Sequence, residues 1–106
     1  MQKYALEITD NALFDMEQIY CYIAHDLKAP ENAKGQYDRI ANQILRLETM
    51  SFRYPIMSGR ELERREIRLM PVDNYSVLYL VREEEVIVTD VIYSAANIRE
   101  RFKGIR

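Results

Sequence analysis

One cysteine, Cys21, and one histidine, His25, are all this 106-residue chain has of either type. A lone cysteine forms no internal disulfide, which fits a reducing compartment, and the two together are too few for a structural zinc site. No stretch approaches the roughly 18 apolar residues that a membrane span needs. The opening Met1-Gln2-Lys3-Tyr4-Ala5-Leu6-Glu7 lacks the apolar run of a signal peptide, so the cytoplasm is the expected location. Repeats, low-complexity tracts and linkers are also missing, and one domain spanning 1–106 is expected. A net charge of −2 gives the chain no overall basic character. A dedicated nucleic-acid binder draws much of its affinity from phosphate neutralisation and usually shows a basic face. Here only the segment 60–68 and the tail, with Arg99, Arg101, Lys103 and Arg106 against Glu100, offer local positive charge.

What is present is a composition 48% hydrophobic and 30% charged, ordinary for a globular domain with one core. Tyr4 to Ile8 alternates like a short strand. Thr9 or Asp10 can cap a following helix, because a side-chain oxygen there accepts from the free N–H groups of the first turn. Leu13, Met16, Tyr20, Ile23 and Leu27 recur at helical spacing as an apolar stripe that should end before Pro30. Pro30 suits the first turn of a second helix, whose stripe is Ala33, Tyr37, Ile40, Ile44 and Leu47, widened by Ala41 and Leu45. So short a connection predicts an antiparallel helical hairpin. Residues 52–59 lack periodicity and read as a loop. Three strands are then expected: Arg64 to Met70, Tyr75 to Val81 and Val86 to Tyr93. They are joined by a turn at Pro71-Val72-Asp73-Asn74 and a charged hairpin over 82–85. Asn97 or Ser94 can cap a short final helix reaching Phe102. The order β-α-α-β-β-β predicts an α+β fold, with the helical hairpin on one face of a mainly antiparallel four-stranded sheet and the other face partly open.

These pieces together resemble the RelE/ParE superfamily of toxins from bacterial type II toxin–antitoxin modules, the plasmid stabilisation proteins among them. The matching strings are Ala12-x-x-Asp15-x-x-x-Ile19-x-x-Tyr22-Ile23, Tyr54-Pro55, Arg65-x-Ile67-Arg68-x-Met70-Pro71, Asn74-Tyr75-x-Val77-x-Tyr79-x-Val81 and Val91-Ile92-Tyr93-Ser94. The resemblance implies a cognate antitoxin as partner and no cofactor or metal. It also implies one of two activities: RelE-like members cut mRNA on the ribosome, and ParE-like members poison DNA gyrase.

Metal-free RNA cleavage needs a base for the 2′-hydroxyl, a cation for the phosphate and an acid for the leaving oxygen. By resemblance, Arg68 matches a basic position on the first strand of the meander. Ser76 stands where many members carry arginine, and Ala95-Ala96-Asn97 stand where many carry a basic pair and an acid. Tyr93 occupies a position often held by tyrosine or histidine. Arg64, Arg68 and Tyr93 are therefore the catalytic candidates of a nuclease reading. Arg64, Arg68, Ser76, Ala96, Asn97, Arg99 and Arg101 are candidates for holding antitoxin or target. The bland readings pair Arg64 and Arg68 with Glu66 or cross-strand acids, set Arg65 in an ion pair with a helix acid, and place Tyr75, Tyr79 and Tyr93 in the core. They also make Cys21 an inert packing residue and His25 a residue at a helix end. With two basic positions replaced and a pI near 5.4, the sequence favours a ParE-like gyrase inhibitor over a ribonuclease. The third possibility is a degenerate homologue that only binds antitoxin.

Overall fold

Thr9 ends the first strand and starts the first helix. Its hydroxyl accepts from the Ala12 N–H at 3.1 Å, as an N-cap should. The computed structural model describes residues 3–102; Lys103 and Arg106 of the basic tail lie outside them, as do the side chains of Ala95 and Ala96. The elements are β1 (Ala5–Ile8), α1 (Asp10–Cys21), α2 (Pro30–Arg46), α3 (Arg60–Arg64), β2 (Arg68–Val72), β3 (Tyr75–Arg82), β4 (Glu85–Tyr93) and α4 (Ser94–Arg101). The sheet order is β1-β4-β3-β2, with β1 parallel to β4 and the other pairs antiparallel. The fold is thus the expected α+β arrangement, closed by a short terminal helix.

The two helices bury their stripes unequally well. On α2 the expected face holds: Ala33, Ile40 and Ile44 are buried, as is Leu47 just past its end, while Leu45 is exposed. On α1 the buried face is Ala12, Asp15, Met16 and, beyond its end, Ile23, whereas Leu13, Tyr20 and Leu27 are exposed. The expected stripe was displaced because a carboxylate, Asp15, occupies a buried position. In addition, residues Tyr22–Asp26 form a π turn, which adds a residue per turn and swings Tyr22 and Leu27 outward. Cys21, expected to pack, is exposed.

The meander starts later than its alternation suggests. Arg60–Arg64 is a helical turn, and Glu66 adopts a left-handed φ of 56°, so the strand begins only at Arg68. Arg64 and Arg65 consequently leave the sheet and both pair with Glu61, which is 6% exposed. Pro71 lies within β2 rather than in the turn, opposite Ser76. An edge strand tolerates a residue that cannot donate to the ladder. The turn is Asp73-Asn74, with Asp73 at φ 55°.

A bulge in β4 explains a second departure. Leu78 pairs with Asp90 but Tyr79 with Val88, leaving Thr89 as an extra residue that reverses the alternation. Val86 and Val88 face the helical hairpin before it, and Val91 does after it, together with Tyr79, Val77 and Met70. Ile87 pairs instead with Leu80, which packs on the opposite side.

That opposite side is not open. Leu78, Ile92, Ile67 and Ile98 form a second buried cluster, joined by Leu62 of α3, Phe102 after α4, and Leu69 and Leu80 of the sheet. Two short helices therefore cover the face that the sequence left bare.

Two acids carry an acid-sensitivity prediction. The Arg39 guanidinium, with help from Gln36, holds the Asp73 carboxyl below its usual range. Arg64, and more weakly Arg65, does the same for Glu61 against a smaller opposing effect of burial. A depressed folded pKa contributes stability above the unfolded value and loses it as pH falls through the folded one. The urea midpoint is expected to fall as pH drops below about 4. The Asp73→Asn, Glu61→Gln double variant should show a flatter decline over that window; a parallel decline would contradict the assignment.

Candidate functional site

β1 ends at Ile8 opposite Val88, so among the described residues the last five of β4 have no strand on that edge. The N-terminal part of α1 takes the place of the missing strand with side chains. Thr9 Oγ1 and Asn11 Nδ2 donate to the Thr89 carbonyl at 3.2 and 2.9 Å. Asp15 Oδ2 accepts from the Val91 N–H at 2.9 Å. Arg101 of α4 then reaches across to donate to Asp15 at 2.8 Å and Asp90 at 3.0 Å. Asp90 also accepts from Asn11 at 3.0 Å. The two carboxylates raise the Arg101 pKa, Asp15 more than Asp90. This network locks α1, the end of β4 and α4 into one unit.

Above that lock a groove runs between α1 and the ends of β3 and β4. One part, of about 460 Å³, is lined by Asp15, Gln18, Tyr93, Asn97 and Arg101, among others. The adjoining part, of about 620 Å³, has Tyr22, Leu27, Gln36, Asn74 and Tyr75 on its walls. Gln18, Ile19 and Tyr93 belong to both, so the groove is continuous. Tyr93 is 53% exposed, and its ring meets Tyr75 edge-on at a centroid distance of 5.4 Å. Burial, then the neighbouring Tyr93 and Tyr22, pushes the Tyr75 phenol above its ordinary value. Tyr75 is therefore neutral at physiological pH and suited to packing and hydrogen bonding rather than proton abstraction. Aromatic and aliphatic walls with amides between them fit apolar side chains of a polypeptide. Among the described residues the one cation lining the groove, Arg101, is already paired.

The residues singled out in the sequence do not converge. Arg64 is tied to Glu61 on α3. Arg68 lies on the hairpin side of the sheet, not the far side. It donates to the Tyr54 carbonyl, and its guanidinium sits 5.1 Å from the Phe52 ring centroid. Ser76 is buried, paired across β3 and β4 with Ile92, and presents nothing to a partner. Asn97 and Arg99 are exposed on α4. Ala96 falls where no side chain is described. Tyr93, Asn97 and Arg101 do share the groove, but Tyr93 is not core and Arg101 serves as a clamp. Gln18, Gln36, Tyr22 and Leu27 were missed. The only hint in the sequence was too many bulky residues between Tyr20 and Leu27 for one stripe to bury. Among the described residues no group of histidine, cysteine and carboxylate side chains could hold a metal, and no helix is long and apolar enough to cross a membrane.

No curated protein matches this chain significantly. Among solved structures, a chain of the chromosomal ParDE TA system from P. aeruginosa superposes with a TM-score of 0.71 at 21% identity. The match covers 87% of this chain and 97% of that one, a likeness of fold. A family model described as the ParE toxin of the type II toxin–antitoxin system parDE matches residues 6–98. That span runs from β1 through the Asp15 lock and the whole meander into α4, so the chain belongs to the ParE toxin family.

Proposed function

We propose that this toxin acts in the cytoplasm as a ParE-like inhibitor of DNA gyrase rather than as a ribosome-dependent mRNA endoribonuclease, and that a cognate antitoxin silences it by laying an apolar segment into the tyrosine-lined groove. The observation that carries the choice is the far face of the sheet. Ile67, Leu78, Ile92 and Ile98 are buried there with Ser76, beneath α3 and α4. Stabilising a pentavalent phosphate takes preorganised cations at the reacting oxygens. Of the two arginines that the sequence puts forward for that role, Arg64 is held by Glu61, and Arg68 lies on the hairpin side of the sheet, donating to the Tyr54 carbonyl. The groove supports the antitoxin half of the reading, since tyrosines at a partly desolvated surface make strong anchors for a protein partner.

Two assays on purified toxin separate the readings. In a gyrase supercoiling reaction the protein is expected to accumulate gyrase–DNA cleavage complexes. On translating ribosomes primer extension is expected to show no codon-specific cuts. Cuts that vanish in Arg68→Ala would reverse the assignment. Tyr93→Ala is expected to weaken antitoxin binding at least tenfold with folding intact, and unchanged affinity would remove the groove from the interface.

A further inference from the structure

The positive charge of this acidic protein is distributed unevenly between paired and unpaired arginines. Arg39, Arg64, Arg65 and Arg101 each bind a carboxylate. Among the described residues Arg46, Arg53, Arg60, Arg68, Arg82 and Arg99 bind none, and three of these, Arg46, Arg53 and Arg68, lie together. Arg46, Arg53 and Tyr54 line one shallow depression beside the end of α2. Arg68 joins them from β2 by donating to the Tyr54 carbonyl. Two of the three guanidinium groups sit near aromatic rings, Arg53 at 5.6 Å from the Tyr54 centroid and Arg68 at 5.1 Å from that of Phe52. Phe52 is itself 57% exposed and rests edge-on against Tyr4, so a large apolar ring stands in water beside unneutralised cations.

We propose that Arg46, Arg53 and Arg68, with the exposed ring of Phe52, form a binding patch for single-stranded nucleic acid. Arginines supply planar, bidentate contacts to phosphate oxygens. An exposed ring next to them gives an unpaired base a surface to stack on. The acidic tip at Glu83–Glu85 lies at the same end of the sheet, on the β1 side, where the Ala5 N–H donates to the Glu84 carbonyl. Its charge confines the strand to the side of α2 and β2. A carboxylate-rich peptide could pair with the arginines but would leave Phe52 unused, so nucleic acid accounts for more of the patch. The proposal is independent of the toxin's cellular target.

The test is fluorescence anisotropy of a labelled oligothymidylate titrated with the full chain. Three phosphate contacts predict roughly a twentyfold loss of affinity between about 50 and about 200 mM salt. Arg46→Gln and Arg53→Gln are each expected to reduce the salt slope by about 0.7. Phe52→Ala is expected to weaken binding about fivefold or more. Arg60→Gln, an exposed arginine on α3, should change nothing. Among the described residues the side chains of Arg46 and Arg53 bind no other element, Arg53 meeting only the ring of its neighbour Tyr54, so their variants should melt like the parent chain. Because Arg68 holds the Tyr54 carbonyl, this titration uses Arg68→Lys, which keeps the charge and is expected to leave the salt slope unchanged. Absence of binding, binding indifferent to Arg46, Arg53 and Phe52, or displacement of the oligonucleotide by an equal concentration of oligoglutamate would overturn the proposal.

Discussion

Asp15→Ala is expected to lower the unfolding free energy by about 3 kcal/mol, read from urea denaturation. The side chain is 7% exposed and accepts two hydrogen bonds, one from the Val91 N–H and one from Arg101. Alanine can take neither. The Val91 N–H sits on the stretch of β4 that β1 does not cover, so no backbone carbonyl replaces the lost acceptor; a buried donor without a partner costs about 1–3 kcal/mol. Arg101 keeps Asp90, and at 37% exposure its freed N–H groups reach water, which limits the ionic part of the loss. The same asymmetry orders the rest of the series. Asp15→Asn retains an oxygen for Val91 and should cost about half as much as alanine. Arg101→Ala should cost about 1 kcal/mol, because an ion pair with one partner in solvent is worth little. Equal small losses at all three would mean that α1 does not stand in for the missing strand.

This network also shows where sequence reading stopped. The helical hairpin was legible because Ala33, Ile40, Ile44 and Leu47 repeat at helical spacing and are buried. β3 was legible because Tyr75, Val77 and Tyr79 alternate on one face. Asp15 was visible only as part of a family string, since hydrophobic periodicity has no way to count a carboxylate as a core residue. Asp90 is hidden from such a reading for the same reason, compounded by the extra residue at Thr89, which inverts the alternation without any change in composition. The start of β2 was misplaced because Arg64 to Met70 alternates in sequence. Arg64 and Arg65 instead pair with Glu61 at the helical spacings of three and four residues, a local pattern that competes with the alternation, and the left-handed Glu66 then delays the strand. The candidate cations failed as a site on the same grounds: charge type was readable, but not which carboxylate each arginine would meet. The groove was the least legible of all, because it depends on a π turn exposing Tyr22 and Leu27, residues that look like core.

Leu78→Ala is expected to destabilise the fold by about 3 kcal/mol, the cost of a leucine removed from a site that cannot collapse. The magnitude bears on function. On an open sheet face the same change would fall within about 0.5 kcal/mol, as surface substitutions do. Leu78 is 0% exposed and packs among Ile67, Ile92 and Ile98, the last contributed by α4. Ile98→Ala should therefore cost a comparable amount, about 2 kcal/mol at least, although it lies on a short helix near the end of the chain. The two losses should be less than additive when combined, because the residues share one cluster. Ending the chain after Tyr93 is expected to uncover Ile92 and Leu78 and to produce strong binding of an apolar dye, with β3 and β4 still paired. A far face that lost Leu78 and Ile98 at little cost would be the solvent-open surface that alternation alone suggested, with room for substrate RNA. A large cost places leucine and isoleucine under a lid at the very positions where a ribonuclease needs water and charge.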